Sequence, residues 1–241
     1  MSQNIIQPYR YAVSFDPTDV TDLYCWYDPN YGITMDGSNR ISKWLNREGT
    51  TARDLVQATG ALQPLFVASG SSGSGNATVN TSGGDWMETA SAQTALTQPI
   101  SVVAITKFPA NGSGNNAFLF DCHTASSDRH LMSKPSLDAD DRYQFFAGTD
   151  MTLNGATGYE DSWNYVTILF NTSSSEARFN GSSVITGNVG TNDYQALQYN
   201  WSGTSANRGW NNEVLQFLIY DKLLSSDDIS NLETWAATQM G

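Results

Sequence analysis

The chain has 241 residues, a formal net charge of −12, 15% charged residues and 12% aromatics. That length holds one large β domain or two small ones, and the composition excludes a disordered chain, which needs few aromatics and many charges. The 12 basic residues are scattered singly, without the Lys/Arg clusters that bind nucleic acid or anionic membranes, and no stretch is apolar enough to span a bilayer.

Residues Met1 to Asp22 read as an extended N-terminal arm interrupted by Pro8 and Pro17. Tyr9, Tyr11 and Phe15 give it apolar contacts, made either with the body of the same chain or with a neighbouring subunit. Its first residues have neither the basic start nor the apolar core of a signal peptide, so assembly in a cytoplasm is expected. Leu23 to Asp28 is the first convincing strand, aromatic and bounded by Asp28-Pro29. After a turn at Met35 to Ser38, Arg40 to Leu45 alternates with period two, as a half-buried strand does. Leu55 to Gly60 and Gln63 to Val67 carry the chain along an edge, where Pro64 is tolerated. The Gly/Ser stretch Ser69 to Asn76 reads as a mobile loop.

Pro99 to Thr106 is the strongest core strand, and Ala117 to Cys122 is another. Arg142 to Phe146 follows the acidic loop Asp138 to Asp141. Asn164 to Phe170 and Glu176 to Phe179 come next, and Asn180-Gly181 predicts a hairpin turn into Ser183 to Thr186. Thr191 to Gly209 is a polar loop whose aromatic residues, with Trp210 just beyond it, are Tyr194, Tyr199 and Trp201. Glu213 to Tyr220 is an apolar run suited to a strand buried on both faces. Asp221-Lys222 then turns the chain, and Ser225 opens a helix with Asp228 as the acidic partner of a capping box. Ile229, Leu232 and Ala236, with Trp235 beside them, form its apolar stripe. Cys25 and Cys122 read as two buried thiols.

These elements predict an all-β fold: a single antiparallel β-sandwich over residues 23–241, with the arm at 1–22 and one short C-terminal helix. Leu23, Trp26 and Asp28, then Asp36-Gly37, Ile41, Trp44 and Gln63-Pro64, resemble the opening of concanavalin A-like, laminin-G-like jelly-roll domains common in phage and bacterial proteins. Tyr220-Asp221, Leu224-Ser225, the helix and the terminal Gly241 fit the same family. The resemblance implies the jelly-roll fold and says little about function.

The fold class includes retaining glycosidases, which need two carboxylates about 5–5.5 Å apart, drawn in those enzymes from a Glu-x-Asp-x-(x)-Glu strand. None of Glu48, Glu88, Glu160, Glu176, Glu213 and Glu233 stands in that pattern. His123 and His130 have no metal-ligand spacing and no nucleophile elbow accompanies them, so an enzyme is not expected. Asp138, Asp140 and Asp141 offer hard oxygens for calcium, as does Asp121 with Asp128; the alternative is a solvated acidic turn, and no other cofactor is expected. Tyr194, Tyr199, Trp201 and Trp210 could stack on sugar rings, or else cap the core or enter a subunit interface.

Composition, arm and resemblance together lead to the expectation of a structural virion protein. It would be a capsid decoration (cement) or head-appendage protein, assembled in the host cytoplasm. It would be a homo-oligomer held to the major capsid protein or other virion proteins through the arm. The alternative is a carbohydrate-binding, lectin-like module of a phage tail or receptor-binding protein, with a glycan as ligand.

Overall fold

The computed structural model describes residues 15–82, 84–89, 93–110, 117–122, 129–135, 142–200, 210 and 213–241. In chain order its strands are β1 (Leu23–Tyr27), β2 (Ile33–Met35), β3 (Ile41–Trp44), β4 (Leu55–Val56), β5 (Leu65–Val67), β6 (Thr78–Asn80), β7 (Met87–Thr89), β8 (Ile100–Lys107) and β9 (Ala117–Cys122). They continue with β10 (Leu131–Lys134), β11 (Tyr143–Phe146), β12 (Asp150–Leu153), β13 (Trp163–Phe170), β14 (Ser175–Phe179), β15 (Ser182–Gly187), β16 (Leu197–Tyr199) and β17 (Glu213–Tyr220), and the helix α1 (Ser226–Met240) closes the chain. Two sheets face each other across the core. One has 8 strands in the order β15-β14-β13-β8-β17-β6-β5, with β1 also on β17; the other has 9, in the order β12-β11-β10-β9-β16-β7-β4-β3-β2. The pairings are antiparallel, as the sequence predicts.

Strand β17 explains its own apolar run. Val214, Phe217 and Ile219 enter the main core, while Leu215, Leu218 and Tyr220 lie on the other face. The switch of parity after Val214 coincides with a register shift against β8 between Val214 and Gln216, the signature of a bulge. The outer face would be wet but for α1. Leu232 joins Val103, Leu218 and Tyr220, and Ala236 joins Ile105 and Leu215. The cap forms as predicted: Asp228 N–H donates to Ser225 Oγ (3.1 Å) and Ser225 N–H to Asp228 Oδ2 (3.2 Å). Arg178 of β14 grips Glu233 of the helix through Nε at 2.8 Å, tying α1 to the β14–β15 hairpin. That hairpin turns through Asn180 and Gly181, with φ 48° and 82°, the left-handed pair a tight hairpin requires.

Several local expectations are corrected. Residues 69–76 are anchored rather than free: Ser71 N–H and Oγ–H donate to Glu213 (3.0 and 2.6 Å), and Asn76 Nδ2 donates to the Gln239 carbonyl (3.2 Å). Strand β4 lies inside its sheet between β3 and β7, not at an edge. Part of the expected polar loop is strand β16, which joins β9 to β7.

The N-terminal segment from Phe15 to Asp22 lies against the sandwich. Val20 is buried with Leu218 and Leu224, Tyr220 Oη donates to the Pro17 carbonyl (3.0 Å), and Asp221 N–H donates to Asp22 O (2.8 Å). Phe15 packs against the same cluster as Trp235. Tyr9 and Tyr11 lie outside the described residues.

Candidate functional site

The outer face of the 9-stranded sheet brings together side chains scattered along the sequence. Inward residues are identified by their place in the core: Met132 of β10, Tyr143 and Phe145 of β11, Leu197 and Tyr199 of β16, and Met87 of β7. Their neighbours alternate to the opposite face. In β9 the pairing with β10 shifts between Met132 and Ser133. This shift lets Leu119 and Phe120 both face the core and turns Phe118 and Asp121 outward.

Register then aligns one outward residue per strand. Leu131 stands opposite Phe146 and Asp121, Asp121 opposite Gln198, and Gln198 opposite Glu88. The line continues through Val56 and Lys43 to Thr34, and at the other end through Phe146 to Asp150. With strands about 4.8 Å apart, this transverse row is roughly 40 Å long. It runs perpendicular to the strands.

The row is knit by side-chain hydrogen bonds. Gln144 Nε2 donates to Asp150 Oδ1 (2.6 Å) and Ser133 Oγ to Gln144 Oε1 (3.1 Å). Arg129 Nη2 and Nε hold Asp121 Oδ2 at 2.6 and 2.9 Å, and the guanidinium lies 5.4 Å from the centre of the Phe118 ring. Lys43 pairs with Asp54 at 2.9 Å. Gln198 Nε2 donates to Glu88 Oε2 (3.3 Å), while Gln198 Oε1 is shielded from water and has no hydrogen-bond partner among the described residues. An acceptor left in that state costs about 1–3 kcal/mol. Glu88, Gln144 and Phe146 are half-buried, so part of each residue reaches solvent. The row therefore offers carboxamide and carboxylate acceptors beside one partly exposed aromatic face.

The expected stacking platform is not on the surface. Tyr194, Tyr199 and Trp210 are at most 1% exposed and belong to the main core, so a sugar cannot reach their faces. Trp210 is fixed from inside: its indole N–H donates to Thr106 Oγ1 and the Lys107 carbonyl, both at 3.0 Å, and Asn200 Oδ1 accepts from its backbone N–H. Trp201 lies outside the described residues, as do Asp138, Asp140 and Asp141 of the expected calcium loop. Asp121, the other calcium candidate, is taken by Arg129, and Asp128 is also outside. Among the described residues no group of three or more His, Cys, Asp or Glu side chains gathers as a metal site.

Cys25 and Cys122 are both free and buried. Burial pushes the Cys25 thiol up to about 12 and Cys122 well above its ordinary range, so both are protonated at neutral pH. His130 is sealed into the core rim beside Phe170 and Tyr194, with ring centroids at 5.0 and 6.4 Å. Among the described residues neither of its ring nitrogens makes a well-formed hydrogen bond, and burial lowers its pKa to about 4 against a weaker backbone contact with Asp193.

No protein-family model matches the chain, and no curated protein matches it. Solved structures do. Domain 4 of the extracellular arabinanase AbnA from Geobacillus stearothermophilus, solved with arabinotriose, superposes with a TM-score of 0.61 at 11% identity over 88% of this chain and 98% of that one. A Trypanosoma rangeli sialidase in complex with sialic acid gives 0.59 at 11% identity over 92% of this chain and 34% of its own. A structure of botulinum neurotoxin type C, whose cell entry depends on interaction with two ganglioside molecules, gives 0.55 at 13% identity, covering 89% of this chain and 51% of that one. This chain thus spans about a third of the sialidase's length. Identities this low establish the fold: a β-sandwich of the jelly-roll type, consistent with a concanavalin A-like domain.

Proposed function

We propose that this chain is a carbohydrate-binding module that holds an uncharged oligosaccharide across the outer face of the 9-stranded sheet. The observation that carries this reading is the outer face of this sheet, where Gln198, Glu88, Gln144 and Phe146 are half-buried and keep part of each residue at the surface. Glu88, opposite Gln198 on β7, and Gln144, three strands away on β11, accept further hydroxyls, and Phe146 of β11 presents a flat apolar surface to a pyranose or furanose ring. The cations of the row are already paired, Arg129 with Asp121 and Lys43 with Asp54. A net charge of −12 also repels acidic glycans. An uncharged ligand follows.

Support at the level of the fold comes from the arabinanase domain, whose structure holds arabinotriose. The test is a glycan array probed with the full chain and with Gln198→Ala. The wild type should retain neutral oligosaccharides that the variant releases. No retention of any glycan, or equal retention by the two proteins, would contradict the reading.

A further inference from the structure

Asparagine is followed by glycine at Asn111, Asn154 and Asn180, and this pair carries a built-in reaction. The glycine amide nitrogen attacks the asparagine Cγ, a C–N bond forms, the Cγ–Nδ2 bond breaks and ammonia leaves. Water then opens the resulting five-membered imide at either carbonyl, giving aspartate or isoaspartate. The reaction needs no oxidant, and glycine favours it because no Cβ obstructs the ring. The side-chain amide must, however, be free to swing onto the backbone nitrogen. The fold therefore decides which pair reacts.

Asn154 and Asn180 are both exposed, yet their surroundings differ. Asn180 is clamped at both ends of its side chain: Nδ2 donates to Asn164 Oδ1 (2.8 Å), and Oδ1 accepts from the Tyr165 N–H (3.1 Å). Its backbone N–H donates to the Tyr165 carbonyl (3.0 Å). Gly181 is hemmed in as well, since a Cβ placed there would lie 3.1 Å from Tyr165 Oη. Around Asn154, just beyond β12, none of this holds. Among the described residues its side chain makes no hydrogen bond, and the Gly155 N–H donates to no backbone carbonyl. A Cβ at Gly155 would meet nothing within 4 Å. Leu153 is paired with Tyr143 and Ala156 is buried, so Asn154-Gly155 is an open tip between two fixed points. We propose that Asn154 is a site of spontaneous deamidation in the folded protein and that the fold protects Asn180. The product adds a negative charge beside the strand that carries Asp150 of the transverse row.

The test incubates the full chain at mildly alkaline pH, folded and, in parallel, unfolded in guanidinium chloride, and follows each site by tryptic peptide mapping. Cleavage after Lys and Arg places the two sites on separate peptides, 143–178 for Asn154 and 179–208 for Asn180. Asn111, outside the described residues, falls on a third, 108–129. Mass spectrometry reads the one-dalton gain of each conversion. In the folded protein Asn154 should convert several-fold faster than Asn180, and on unfolding the two rates should converge. Equal rates in the folded protein, or no conversion of Asn154, would overturn the proposal. A difference that persists unchanged on unfolding would also overturn it, because it would then belong to the local sequence and not to the fold.

Discussion

His130 makes the fold acid-sensitive in a way that can be isolated. Its side chain is fully buried, packs edge-on against Phe170, and among the described residues makes no well-formed hydrogen bond through either nitrogen, only a weak contact with the Asp193 backbone. Burial lowers its folded pKa from the ordinary 6.5 to about 4, against a smaller opposing pull from the Asp193 backbone. The neutral ring is thus the form the fold favours. Above pH 6.5 both folded and unfolded states carry it and no cost arises. As pH falls below 6.5 the unfolded chain takes up a proton that the folded chain refuses, and stability drops until pH passes about 4. At about 1.4 kcal/mol per pH unit the full loss is about 3 kcal/mol, of which about 2 kcal/mol is reached by pH 5. Carboxylates also titrate in this range, so the measurement compares the wild type with His130→Phe, which keeps an aromatic ring among aromatic neighbours. Urea unfolding followed by tryptophan fluorescence at pH 8 and pH 5 should show the wild type losing about 2 kcal/mol more than the variant. Parallel losses in the two proteins would refute the assignment of a buried neutral histidine.

Two further substitutions probe the scaffold. Trp210→Ala removes a fully buried indole and should cost about 3–5 kcal/mol of unfolding free energy, read from denaturant midpoints. Unchanged stability with lost glycan binding would instead place that ring at a ligand. Ser225→Ala deletes the N-cap of α1 and should lower stability by about 1 kcal/mol while leaving glycan binding intact. A loss of binding without a shift in thermal midpoint would tie the helix to the site.

The parts of the fold written in local chemistry could be read from sequence. Asn180-Gly181 supplies two left-handed residues for a hairpin, and Ser225 with Asp228 supplies a complete helix cap. The Glu213 to Tyr220 run is apolar because core and helix cover its two faces. The short strands β10, β12 and β16 carry no such signal: each has three or four residues, too few for periodicity to stand out, and each exists through partners distant in sequence. Trp210 shows a related limit. Its polar neighbours, Asn211 and Asn212, do not report that its ring points into the core, which depends on Thr106 and Lys107 a hundred residues earlier. The transverse row is the least legible feature. It draws single residues from strands between Thr34 and Gln198, and only the register of nine strands makes them neighbours. The expectation of a virion protein draws on composition, the arm and the family resemblance, none of which names a particular partner.

The central claim is that Gln198 and the polar row around it hold an uncharged oligosaccharide. Calorimetric titration of a neutral oligosaccharide retained on the array, into wild type and Gln198→Ala, tests it most directly. Affinity should fall about tenfold, the equivalent of one lost hydrogen bond, with the variant still folded cooperatively. Equal affinity in the two proteins would contradict it.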